Sequence, residues 1–148
     1  MYREDIKPTS MTEQHMLWVK LNDMENTIFW DDDEHRRLRY VFVGAWDWEA
    51  FYAKLDEGCA AIAAEAHPVD VLLDFRMAGA LDPDAVLKLK RAASLAEGFP
   101  GRCLVIADDA AMQTTYHLFL RVYPRLQAKF FLCTTLEETR ALLDDAAD

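Results

Sequence analysis

At 148 residues, 52% of them hydrophobic, with eight Phe, five Tyr and four Trp, the chain has the size and apolar content of one folded domain, which excludes a disordered composition. A formal net charge of −10, from 16 basic and 26 acidic residues, argues against nucleic acid and against an anionic membrane surface, since both are bound through Lys and Arg. No apolar run approaches the roughly 20 residues that span a bilayer. The start lacks the apolar stretch of a signal peptide, and the cysteines Cys59, Cys103 and Cys133 are sparse and odd in number, so a cytoplasmic protein with reduced thiols and no membrane insertion is expected.

Residues 1–26 read as a lead-in, within which 15–21 alternates and is a candidate extra edge strand. Thr27–Trp30 is a short strand, residues 31–35 an acidic, solvated turn, and 38–44 a second strand, so that the two pair as a hairpin. Asp47 then caps a helix whose apolar positions Trp48, Phe51, Tyr52, Leu55, Cys59 and Ile62 recur at three- and four-residue steps. Residues 69–74 form an apolar run of the kind buried on both faces of a parallel sheet. Asp82-Pro83 opens the next helix, with Val86, Leu89 and Ala93 on one stripe, and a Gly-Phe-Pro-Gly breaker follows at 98–101. A buried strand at 103–107 leads through Asp108-Asp109 into a helix lined by Met112, Tyr116, Phe119, Leu120 and Tyr123, ended by Pro124. The last strand covers 129–133, and Thr135 with Glu138 forms a capping box before a final helix carrying Leu136 and Leu143. The expected architecture is one α/β domain over 27–148: a β-hairpin, then βα repeats, with a four- to six-stranded, mostly parallel sheet and about four helices.

The segments Tyr40-Val41-Phe42-Val43-Gly44-Ala45-Trp46-Asp47-Trp48, Val71-Leu72-Leu73-Asp74-Phe75, Leu104-Val105-Ile106-Ala107 and Phe131-Leu132-Cys133-Thr134-Thr135-Leu136-Glu137-Glu138, in this order, resemble the STAS-like domains. These are relatives of the bacterial anti-sigma-factor antagonists and share a β/α superhelix with the lipid-binding Sec14 (CRAL-TRIO) domains. The resemblance implies a non-catalytic regulatory module that binds other proteins. It also implies a phosphorylatable hydroxyl just after an Asp ahead of the second connecting helix. That position falls on Pro83, which has no hydroxyl, so a switch of that kind cannot operate here.

Candidate sites follow from chemistry. Asp47, Asp82, Asp108 or Asp109, and Thr135 with Glu138 stand at expected helix starts, with Asp74 and Asp84 at the same edge of the sheet. Carboxylates there cap backbone N–H groups and repel anions, which disfavours nucleotides and suits a basic partner. Trp46 and Trp48, with Asp82, Asp84, Asp108 and Asp109, are the candidate partner-binding residues, against corner packing and helix capping as the plain alternatives. A receiver-like metal pocket from Asp74, Asp108 and Asp109 lacks the lysine that would follow the last strand, where Thr134-Thr135 stand. No His or Cys spacing suits a metal, no nucleophile elbow or phosphate loop is present, and neither a catalytic residue nor a cofactor is expected. The basic and aromatic stretch Arg121-Val122-Tyr123-Pro124-Arg125 could meet the acidic edge of a second copy, giving a homodimer. The bulky helix at 112–123 is either core or the roof of an apolar pocket, with Met112, Tyr116, His117, Phe119, Leu120 and Tyr123 as its residues. The expected function is thus a protein-interaction module, or alternatively a carrier of a small apolar or lipid-like ligand.

Overall fold

The computed structural model describes residues 26–147, and the lead-in, with its candidate strand at 15–21, lies outside them. Five strands form one sheet whose order follows the chain: β1 (Thr27–Trp30), β2 (Arg37–Gly44), β3 (Asp70–Ala78), β4 (Cys103–Ile106) and β5 (Phe130–Cys133). β1 is antiparallel to β2, and every later neighbour is parallel. Helices α1 (Trp48–Ala63), α2 (Lys90–Glu97) and α3 (Ala110–Val122) connect successive parallel strands, and α4 (Leu136–Ala147) follows the last. The α/β class, the hairpin and the strand–helix repeats are those expected from the sequence.

Crossovers of one hand between strands laid down in chain order put their helices on one face of the sheet. There α1, α2 and α3 pack on Leu38, Tyr40, Phe42, Val71, Cys103 and Val105. On the opposite face Leu136 and Leu143 of α4 pack on Leu72, Leu104 and Ile106. Among the described residues no helix is long and apolar enough to cross a membrane.

The hairpin turn is built by specific contacts. Trp30 and His35 stack with ring centroids 4.2 Å apart, and His35 takes φ 58°, a left-handed conformation that His tolerates better than a β-branched residue. Asp32 Oδ1 accepts from the backbone N–H groups of Arg36 and Arg37 at 2.9 and 3.0 Å. Asp31 departs from the expected solvated turn: it is buried, and its oxygens accept from Arg140 of α4 at 2.7 and 3.1 Å.

Strand β3 also departs from expectation, running four residues past Asp74 to Ala78. Asp74 is not at the sheet edge but buried within the strand, where Arg76 Nε and Nη2 donate to it at 2.9 and 2.7 Å. Arg39, fully buried on β2, lies 3.5 Å from Asp74 and 3.6 Å from Asp31. Alternating opposite charges make burial of these groups tolerable, since a lone charge there would be costly. Between the pairs Val41–Asp74 and Val43–Met77 β3 carries one extra residue, a bulge beside this cluster.

The segment after Asp82-Pro83 is a turn and a 3-10 helix (Ala85–Leu89) before α2 begins. Asp82 does not cap it: its carboxylate accepts from Trp48 Nε1 and Lys88 Nζ, each at 3.0 Å. At the other end of α2, Lys129 Nζ donates to the Ala96 carbonyl at 2.8 Å, satisfying a helix-end acceptor. On α1 the buried position is Gly58 and not Cys59, which is exposed, because the Tyr40 ring fills the space where a Cβ at position 58 would stand. The capping box of α4 forms with a shift: Thr135 Oγ1 accepts from Glu138 N at 3.0 Å, while Glu138 reaches back to Thr134 N at 2.9 Å.

Candidate functional site

Between the sheet and α1, α2 and α3 lies an apolar cavity of about 130 Å³. Its floor comes from residues of four strands, among them Tyr40, Val71, Leu73, Phe75, Cys103, Val105 and Phe130. Phe51 and Leu55 of α1, Ala92, Leu95 and Ala96 of α2, and Met112, Thr115, Tyr116 and Phe119 of α3 form the walls. Period-two alternation in the strands and three- to four-residue spacing in the helices bring these side chains to one layer.

Of the pocket residues expected on α3, Met112, Tyr116 and Phe119 line the cavity. Leu120 and Tyr123 are half-buried and pack beside it, and His117 is exposed with its ring edge-on to Tyr116 at 5.2 Å, so these three do not line the cavity. Trp46 and Trp48, the expected partner anchors, are half-buried and line it as well. Their rings meet edge to face at 5.3 Å, and Trp46 also packs on Phe51 at 4.9 Å and on Phe42 and Phe75 at 5.9 Å.

A polar seam runs over the cavity between α1 and the segment 82–91. Trp48 Nε1 and Lys88 Nζ share Asp82, Lys88 lies 3.7 Å from Asp84, and its ammonium stands 5.8 Å from the Trp48 ring centre. Tyr52 Oη donates to the Lys88 carbonyl at 2.6 Å, and Arg91 grips Asp56 at 2.5 and 2.6 Å. Lys88 first, and Trp48 second, hold the Asp82 carboxyl below its ordinary range, and Asp82 in turn raises Lys88. The other expected acidic residues are spread along the edge. Asp47 caps α1 through Glu49 N and Ala50 N at 2.9 and 3.2 Å, and Asp109 caps α3 through Met112 N at 3.1 Å. Asp108 is exposed, and Pro83 lies exposed in the turn. Asp74 is engaged by Arg39 and Arg76, and no group of three or more His, Cys, Asp or Glu among the described residues is placed to hold a metal ion.

Among the described residues the lining carries no carboxylate, imidazole, ammonium or guanidinium. Burial pushes the Cys103 thiol and the Tyr116 phenol each up to about 12, and pushes Tyr40 further still, so all three are neutral at physiological pH. The Tyr40 and Tyr116 hydroxyls find no hydrogen-bond partner among the described residues, nor does the buried Nε1 of Trp46. Thr115 is satisfied, its hydroxyl donating to the Ala111 carbonyl at 3.1 Å.

Tyr40, Phe51 and Leu73 were legible as core residues but not as cavity walls, and Phe99, which also lines the cavity, stood in the Gly-Phe-Pro-Gly breaker. Apolar periodicity marks the side that faces inward and says nothing about whether the rings that meet there close up. Set against family models, curated proteins and solved structures, the chain matches none of them.

Proposed function

We propose that this domain binds a small, neutral, mainly apolar ligand in the cavity between its sheet and α1, α2 and α3, and does no chemistry on it. The carrying observation is a cavity of about 130 Å³ with almost wholly apolar walls. Apolar cavities near 150 Å³ accept benzene-sized guests. At roughly 24 cal/mol per Å³, space of this size forfeits about 3 kcal/mol of packing. A core that had only to be stable would gain by closing it. The volume suits one ring or a short alkyl chain and falls below the roughly 300–1,000 Å³ of sites for larger ligands, which disfavours a diacyl lipid. The neutral, high-pKa thiol and phenols of the lining also suit binding better than acid–base or nucleophilic work.

The test is a titration of the full chain with benzene and with isopropylbenzene, followed by two-dimensional NMR. Saturable shifts at the cavity walls support the reading, and their loss in Ala96→Leu, which fills the space, fixes the location. A chain whose wall signals ignore both probes would end it.

A second reading, a cytoplasmic interaction module that pairs with its own copy, is favoured by one observation. Leu118 and Val122 stand one turn apart on α3, 43% and 55% exposed, beside the exposed Arg121 and Arg125. A strongly acidic chain offers such a spot a complement on a second copy. Sedimentation equilibrium of the wild type against Val122→Asp decides it: a dimer lost in the variant supports the reading, and a monomer at every concentration removes it.

A further inference from the structure

We propose that the ligand of this cavity carries a neutral oxygen acceptor, a carbonyl or an ether, which the Tyr116 hydroxyl holds, with the Tyr40 hydroxyl as a second donor. The inference rests on the apolar-ligand reading above and narrows it from a hydrocarbon to an oxygen-bearing class.

Tyr40 and Tyr116 are 2% and 9% exposed, yet neither hydroxyl has a hydrogen-bond partner among the described residues. Both line the cavity, Tyr40 rising from β2 beneath α1 and Tyr116 descending from α3. A hydroxyl set among apolar walls without a partner costs free energy. Phenylalanine would fill either place with the same ring and without that cost. Other polar side chains nearby are satisfied: Thr115 donates to a carbonyl of its own helix, and Trp48 donates to Asp82. At the cavity's aromatic corner, Trp46 Nε1 is likewise buried without a partner among the described residues.

The chemistry sets the class. Neutral phenols donate readily to a carbonyl or ether oxygen. A carboxylate or phosphate would enter a lining without Lys, Arg or His and bear its full desolvation cost. A pure hydrocarbon would leave both hydroxyls as they are. A ring- or short-chain-sized ketone, ester or ether fills the apolar volume and pairs the donors in one step.

The experiment compares isopropylbenzene with acetophenone, which share one heavy-atom skeleton with a carbonyl oxygen in place of a methyl, on full-length wild type, Tyr116→Phe and Tyr40→Phe. Dissociation constants come from NMR titration, and stability without ligand from urea unfolding. The expected result is that Tyr116→Phe weakens acetophenone by about fivefold or more, the worth of one hydrogen bond, while isopropylbenzene binds as before. Tyr116→Phe without ligand should be at least as stable as wild type, because no protein bond is lost. Tyr40→Phe should show the same selective loss, to a smaller extent. If both probes bind but acetophenone is indifferent to both substitutions, the oxygen-acceptor inference is overturned and the cavity reading stands. Should neither probe bind wild type, the cavity reading falls and this inference with it.

Discussion

Arg140, on the last helix, closes on Asp31, at the end of the first strand, with Nη2 and Nε 2.7 and 3.1 Å from its two oxygens. The pair joins the two ends of the described fold, and behind Asp31 stands Arg39, whose side chain is wholly buried. The two partners are not equivalent. Asp31→Asn removes the negative charge that Arg39 and Arg140 share, and breaking a buried pair from that side costs about 3 kcal/mol. Arg140 keeps 24% of its side chain in solvent, so Arg140→Met should cost only about 1 kcal/mol. Urea unfolding measures both, and equal losses would contradict this ordering.

Asp82 ties Trp48 to Lys88 across the polar seam, entirely at the surface. Its carboxyl is held below the ordinary range, so its contribution is complete above the usual carboxylate pKa and fades as the pH falls through the lowered value. Acid should therefore loosen the seam, seen as greater quenching of Trp48 fluorescence by acrylamide. Asp82→Asn should show the loosened signal already at neutral pH, with the melting temperature little changed and probe exchange at the cavity faster. If the variant's quenching and exchange match wild type, the seam does not govern access.

Most of the fold was legible because its signals are local. Asp47 and Asp109 cap the helices they precede, the β-branched and aromatic residues of 38–44 mark a strand, and Pro124 ends α3. What failed depends on contacts distant in sequence. Asp74 read as the end of a strand because charge seldom sits inside one, and the buried Arg39, 35 residues before it, joins Arg76 in making the place tolerable. Asp82 had the local chemistry of a cap, but an indole 34 residues away took its carboxylate. The cavity was partly foreseen on α3, whose aromatic bulk is visible in sequence. Its floor and far wall were not, since a gap belongs to no single element.

The thiols should separate by burial. Cys103 is pushed up to about 12 by burial, burial also raises Cys133, and both side chains are enclosed. Cys59 is exposed, but its own partial desolvation and Asp56 raise it too. Native protein in mildly alkaline buffer should thus be alkylated by iodoacetamide at Cys59 alone, more slowly than a free thiol, as read by peptide mass spectrometry. The folded state keeps the Cys103 proton longer than the unfolded chain, so stability should decline as pH rises from the ordinary thiol range towards about 12. Rapid native labelling of Cys103 would mean that the sheet–helix layer opens far more readily than its packing implies.

Gly58 is where α1 lies close enough to the sheet for the Tyr40 ring to occupy the place of a side chain. A methyl group there would overlap the Tyr40 hydroxyl and ring, and forced overpacking of this kind costs about 1–3 kcal/mol. The cavity beside Tyr40 gives the ring somewhere to go, which keeps Gly58→Ala towards the lower end of that range and keeps the fold intact. The displaced ring then takes up volume that a ligand would use. Gly58→Ala should consequently lose about 1 kcal/mol by urea unfolding and weaken both isopropylbenzene and acetophenone, whereas Tyr116→Phe discriminates between them. A Gly58→Ala protein that binds both probes as tightly as wild type would place the ring's escape route elsewhere and separate Tyr40 from the cavity.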